Sequence, residues 1–262
     1  RAPGSGRGTP WRIDPLAQAE VLRDAFCLDL DVLAKELGPG ARHEPGHVER
    51  ARHEHRERGQ VLGLLRFSVL SEGAFQTRHD SLDQRRAYLF DPVRLEQRLA
   101  WFERVTLPGL LAQKDPSFRL VVLLAEDLPE PWRGRMDAIL ARDPRLVAFR
   151  APVERHRKSC ADAIAAHIDP NAEAVLQFRL DDDDAVATDF TRRLRRDFAG
   201  PSRVQAQGGL VLDHARGINL IWRGRDVLLV PRLERYLGVG FAIATRPGDG
   251  RQDRQQQEVL PC

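Results

Sequence analysis

Apolar residues in this chain follow two rhythms. From Gln60 onward, short unbroken apolar runs alternate with longer stretches in which apolar residues recur every three or four positions. The runs are QVLGLLRFSV (60–69), SFRLVVLLAED (117–127), RLVAFRA (145–151) and AEAVLQFRL (172–180). Runs of this length without polar alternation predict strands buried on both faces. The stretches 91–113, 130–143, 153–169 and 188–200 read as helices. Asp91 can cap the first of these, Pro92 suits its first turn, and Leu95, Leu99, Phe102 and Val105 share one face. In 153–169, Cys160, Ile164 and Ile168 lie on one side. Residues 208–246 read as several short strands with glycine turns. Strands alternating with helices predict an α/β domain, a mostly parallel sheet covered on both faces.

The first sixty residues follow a different pattern. Residues 1–10 are rich in Gly, Pro and Arg, and 14–38 read as a helix opened by Asp14 and Pro15 and closed by Gly38 and Pro39. The segment 41–59 holds His43, His47, His53 and His55 among Arg and Glu. Pro45 and Gly46 break any rigid helix between the first two histidines, so a charged linker is expected rather than a metal site. Residues 1–59 are thus expected to be an N-terminal helical extension, 60–249 the main domain, and 250–262 a polar tail.

Composition narrows the picture only a little. The chain has 262 residues, 42% hydrophobic and 30% charged, enough to bury a core. Its net charge of +3 permits an anionic ligand without demanding one. Lysine occurs only at 35, 114 and 158, so arginine, whose planar fork suits oxyanions, carries most of the positive charge. Cys27, Cys160 and Cys262 are too far apart for a disulfide framework or zinc spacing, and reduced thiols in the cytoplasm are expected. No apolar run is long enough to span a membrane, and the first residues lack the apolar core of a signal peptide.

The chemistry gathers where strands end. In an α/β sheet ligands bind beyond the carboxyl ends of the strands. Arg66, Asp127 and the run Asp181–Asp184 all stand at such ends. In extended chain Asp181 and Asp183 would point to one side, Asp182 and Asp184 to the other. Paired carboxylates repel unless a cation neutralises them. Hard oxygen ligands suit Mg²⁺ or Mn²⁺, and magnesium commonly binds through one or two carboxylates plus substrate phosphates. The acidic run therefore points to a divalent cation bridging the protein to a diphosphate; its plainer reading is an acidic turn capping the next helix.

The phrases GLLRFSV, YLFDPVRLEQRLAWFERVTLPGLLAQKDPSFRLVVLLAEDLPEPW, HRKSC and QFRLDDDDAVATDF together resemble the bacterial rhamnosyltransferase family over residues 60 to about 249. The acidic run resembles the Asp-x-Asp motif of GT-A glycosyltransferases. The resemblance implies a GT-A-like (Rossmann-like) fold and metal-dependent transfer of a sugar from a nucleotide-sugar donor to a saccharide or lipid-linked acceptor. It implies that Asp182 and Asp184 lie nearest metal and diphosphate, with Asp181 and Asp183 as the other phase. By the same carry-over, Arg66 lies near the nucleotide, Asp127 faces the base, and Arg157 and Lys158 reach the diphosphate, while His156 beside them reads as structural. An inverting transfer needs a base for the acceptor hydroxyl, and Asp213, His214 and Asp226 stand downstream where it would come from. Beyond FAIATRPGD the family pattern leads one to expect a basic, His-containing segment; here the chain reads GRQDRQQQEVLPC, as a shortened C-terminus would.

Two other classes compete. A phosphoryl or nucleotidyl transferase would share the acids, but no G-x-x-x-x-G-K-[ST] loop is present. A non-catalytic module would be either a degenerate transferase that only binds nucleotide-sugar, or a nucleic-acid binder using Arg192, Arg193, Arg195 and Arg196. Those arginines read as a solvated helix face, so no nucleic-acid partner is expected. A lipid-linked acceptor leaves room for peripheral membrane contact.

Overall fold

A computed structural model describes residues 59–72, 81–199, 210–223, 226–235 and 238–245. The helix expected over 14–38, the His-bearing segment up to residue 58, Cys27, and the tail 250–262 with Cys262 lie outside the described residues.

Each of the four apolar runs is a strand: β1 Gly59–Phe67, β3 Arg119–Ala125, β4 Leu146–Ala151 and β6 Ala174–Asp181. With β7 Leu210–Leu212 and β10 Ala242–Thr245 they form one sheet of order β4-β3-β1-β6-β10-β7. β1 pairs in parallel with β3 and β6, and β3 with β4; β10 is antiparallel to both β6 and β7. The sheet is therefore mostly parallel, as the unbroken apolar runs require. From β4 the chain returns to the far side of β1, so strand order reverses between β1 and β6. Ligands in open α/β sheets bind at such a reversal.

Helices cover both faces. One face carries Val61, Leu65, Phe67, Val122, Leu124, Phe178 and Leu180, in one buried cluster with Leu95, Leu99, Phe102 and Leu110. A side chain at Gly63 would stand 2.5 Å from the Phe178 ring, which is why this strand interior holds a glycine. The other face carries Leu62, Leu64, Val121, Leu123 and Val175 against Ala163 and Ile164 of the helix His156–Ala165.

The stretch 91–113 is an interrupted helix. After a short helix α1 Leu82–Leu89, helix α2 Pro92–Trp101 starts at Asp91, whose carboxylate accepts the Arg94 N–H at 2.9 Å. A π turn over Phe102–Thr106 follows, with Leu107 N–H bonded to Phe102 C=O, and then α3 Leu107–Leu111. Pro108 has no N–H to give, which favours the wider turn. The extra residue brings Thr106 and Leu107 into the core and leaves Val105, expected there, only half-buried.

Helix α4 is Trp132–Leu140 and α5 is His156–Ala165. The helix expected from Val153 begins three residues late, because Glu154–Arg155 (β5) pairs with Ser71–Glu72 (β2) in a two-stranded parallel ladder. Helix α6 is Phe190–Ala199. β8 Arg216–Arg223 and β9 Asp226–Leu233 form a separate two-stranded sheet with Ile218, Ile221, Leu228, Leu229 and Leu233 exposed. Among the described residues no helix is long and apolar enough to cross a membrane.

Candidate active site

At the strand-order reversal, Arg66 of β1 and Asp181 of β6 are register partners. The guanidinium of Arg66 donates to Asp181 Oδ1 from Nε at 3.2 Å and from Nη2 at 2.6 Å. Its third nitrogen, Nη1, lies 3.1 Å from His156 Nε2. A guanidinium can only donate, so Nε2 presents its lone pair and the ring proton sits on Nδ1, facing Ser71 Oγ at 3.4 Å. Burial, then the positive charges of Arg66 and Arg179, push the His156 pKa down to about 4, against the opposing pull of Asp181. His156 is thus neutral near pH 7.

The acidic run does not stay extended. Asp184 N–H bonds Asp181 C=O at 3.1 Å, and Asp184 Oδ2 accepts the Asp181 N–H at 3.0 Å, closing a turn. The expected division into two alternating pairs is therefore incorrect. Asp182 turns toward α2 and is 1% exposed. Arg98 holds it, with Nε on Oδ2 at 2.8 Å and Nη2 against Oδ1, so Asp182 is committed to an ion pair. The same guanidinium reaches exposed Asp183 through Nη1 at 2.9 Å and lies over the Trp101 ring. Burial raises the Asp184 pKa to about 6, helped by repulsion from Asp181 and Asp183 and opposed by the Asp181 N–H and Arg98.

The segment after the turn is fastened from α3. Gln113 Nε2 donates to the carbonyls of Gly109 and Ala187, each at 2.7 Å. Its Oε1 accepts from Thr191 N and Oγ1, each at 3.0 Å. Lys114 N–H bonds Thr188 C=O at 2.7 Å. A side chain at Gly109 would stand 2.7 Å from Val186 O, so glycine permits this close approach. Arg98, Gly109 and Gln113 all lie in the long family-like phrase, yet sequence reasoning gave them no role. The signal available was a lone amide, Gln113, closing an apolar helix four residues after a glycine.

Asp127 lies two residues past β3 and is paired with Arg86 of α1. Arg157 is exposed on α5. Lys158 beside it is bonded to Asp162 at 2.6 Å and Glu154 at 2.8 Å, which raises its pKa. Arg66, His156 and Arg157 line an open pocket together with Leu64, Ile164 and Phe178.

β7 runs parallel to β6 through the intervening β10, with Leu212, Ala242 and Phe178 level. Asp213 and His214 therefore emerge on the same sheet edge as the acidic turn. His214 Nε2 lies 3.2 Å from Asp197 Oδ2 and Nδ1 lies 3.5 Å from Gly240 O, with the ring edge-on to Phe190. Asp226 is exposed at the start of β9, in the separate hairpin.

The basic face expected on α6 needs one correction. Arg195 is buried, pairs with Asp115 at 2.9 Å and donates to the carbonyls of Gly59 and Ser117. Its planar fork ties the helix to the start of the sheet, a partnership invisible to a local count of charges. Arg192 and Arg193 pair with Asp189.

A hard divalent cation fits the turn. Asp181 and Asp183 are half-exposed carboxylates, and their repulsion with Asp184 is one that an added positive charge would relieve. Among the described residues no three His, Cys, Asp or Glu side chains converge into a protein-only cage. A cation there would be held by one or two carboxylates and completed by phosphate oxygens, the usual mode for magnesium. Over residues 60–255 the chain matches the family model described as "Putative rhamnosyl transferase". No curated protein matches it.

Proposed function

We propose, because the chain belongs to this rhamnosyl transferase family, that it moves a sugar, rhamnose first among those to test, from a nucleoside-diphosphate donor to a saccharide or lipid-linked acceptor. The observation that carries this reading is the meeting of Arg66 and Asp181 at the strand-order reversal, where parallel α/β sheets bind ligands. Mn²⁺ or Mg²⁺ would be held by Asp181 and Asp183, with Asp184 behind them. When bound, the cation would neutralise the charge that builds on the departing diphosphate.

The chain's own residues divide the remaining work. Arg66 offers phosphate oxygens a planar donor pair. Arg157 adds positive charge at the pocket mouth, and Asp127 faces the nucleoside. Asp182 supports the turn through Arg98 instead of touching the donor. An inverting transfer draws its base from the end of β7. There His214 has both ring nitrogens directed at acceptors, which suits a latch, and Asp213 is the first base to test.

Calorimetry against dTDP-, UDP- and GDP-sugars, first with Mn²⁺ and then with EDTA, tests the reading. Binding of one donor that EDTA weakens at least tenfold, without abolishing it, is expected. Binding indifferent to EDTA would remove the cation. Pyrophosphate release from a nucleoside triphosphate would replace the reaction class.

A further inference from the structure

Arg66 is gripped from two sides by unequal partners. Asp181 is 39% exposed at its side chain, a negative charge that can be re-solvated or taken up by a cation. His156 is 9% exposed and anchored in turn to Ser71, whose carbonyl accepts from Arg85. The His156 lone pair faces Nη1, while Nε and Nη2, the pair suited to an oxyanion, are both spent on the single oxygen Oδ1. A phosphate offers charge of the same sign and, like the carboxylate, accepts paired guanidinium N–H bonds.

We propose that His156 is a positioning residue for donor binding: its imidazole keeps Arg66 in place while the guanidinium passes from Asp181 to a phosphate of the donor. The proposal rests on the nucleoside-diphosphate reading above. In the free protein Asp181 stands in for the phosphate on Arg66, and Arg66 stands in for the cation on Asp181. Donor and cation each relieve the competitor of the other. No bond is made or broken in the exchange; two ion pairs re-sort. His156 suits the fixed end because it is uncharged, so it neither competes with the phosphate nor moves with it. Burial and the neighbouring arginines hold it in that form near neutral pH.

Two arms test the exchange, with dTDP, UDP and GDP as probes in EDTA and the tightest binder to wild type carried forward. In the first, Asp181→Asn removes the competing charge, and metal-free nucleoside diphosphate should bind three- to tenfold tighter; unchanged or weaker binding overturns the exchange. In the second, His156→Gln keeps an acceptor near Nε2, whereas His156→Asn places its amide near Nδ1. The Gln variant should bind within about threefold of wild type and the Asn variant about tenfold more weakly, at matched melting temperatures. Equal losses in both variants, or none in either, overturn the positioning role. If wild type binds none of the three probes, even with Mn²⁺, the donor reading itself fails, whereas binding by wild type without these differences removes the His156 inference alone.

Discussion

The two arginines of the acidic turn make the same kind of contact and do different work. Arg98 meets Asp182 in the fold interior, where the carboxylate is 1% exposed. Arg66 meets Asp181 at the rim, where the carboxylate is 39% exposed. A buried carboxylate cannot lose its partner cheaply, because water does not replace the lost cation. A half-exposed one can, because water or a metal ion takes over. One pair therefore builds the turn, and the other is free to exchange.

The sharpest way to break this comparison is to remove each cation. Arg98→Met strands Asp182 and should cost about 3 kcal/mol, the lower end for a broken buried pair because Arg98 itself reaches the surface. For a chain of this size that lowers Tm by roughly 6–12 °C. Arg66→Met should cost less than about 1 kcal/mol yet weaken donor binding at least tenfold. Thermal melts in EDTA and calorimetry on both variants decide. Equal melting losses would erase the distinction.

The distinction was not legible in the sequence, although the sheet was. Unbroken apolar runs marked β1, β3, β4 and β6, because a strand buried on both faces leaves no polar alternation. The acidic run stood out because it follows such a strand. Its internal geometry did not, because the Asp181–Asp184 turn replaces the two-residue period expected of extended chain. Nor did its partners: Arg98 lies 84 residues before Asp182, and nothing local to either marks the other. Gln113 and Arg195 were hidden for the same reason, since each satisfies groups more than seventy residues away in sequence. Periodicity reports which face is buried, but not which polar group meets which across the fold.

Gln113 sharpens the comparison from the supporting side. Gln113→Ala leaves Thr191 N and the Gly109 and Ala187 carbonyls without this partner, and should cost about 2 kcal/mol. Gln113→Glu should fail similarly, because a carboxylate cannot donate to the two carbonyls. Urea unfolding should give a lower midpoint at unchanged slope. A wild-type midpoint in both variants would mean that the segment after the turn holds itself.

The turn and the histidine behind Arg66 carry opposed pH dependences. Asp184, with its folded pKa raised to about 6, contributes stability present below about 4 and lost as pH rises through 6. His156, with its folded pKa lowered to about 4, contributes stability present above 6.5 and lost as pH falls toward 4. In wild type the two slopes oppose each other across this window. Asp184→Asn removes the first and should stabilise the metal-free protein by about 2 kcal/mol above pH 6, with no gain near pH 4. His156→Gln removes the second and should leave stability falling more steeply as pH rises from 4 to 6. Chemical unfolding at fixed pH values in EDTA measures both. A gain for Asp184→Asn that does not vary with pH would locate its origin in packing.

The smallest expected effect separates two neighbours on α5. Lys158 is 61% exposed and already bonded to Glu154 and Asp162, one turn away on either side. Two of its three donors are engaged locally, and reaching a diphosphate would require leaving both acids. Arg157 lines the pocket that Arg66 enters. Arg157→Ala should therefore weaken donor binding by about three- to tenfold, a loss of roughly 1 kcal/mol. Lys158→Ala should leave binding within about twofold and Tm unchanged, the usual fate of an exposed ion pair. If Lys158→Ala matched or exceeded the loss at Arg157, the helix would present its ammonium to the diphosphate after all, and the pocket mouth would have to be redrawn around Lys158.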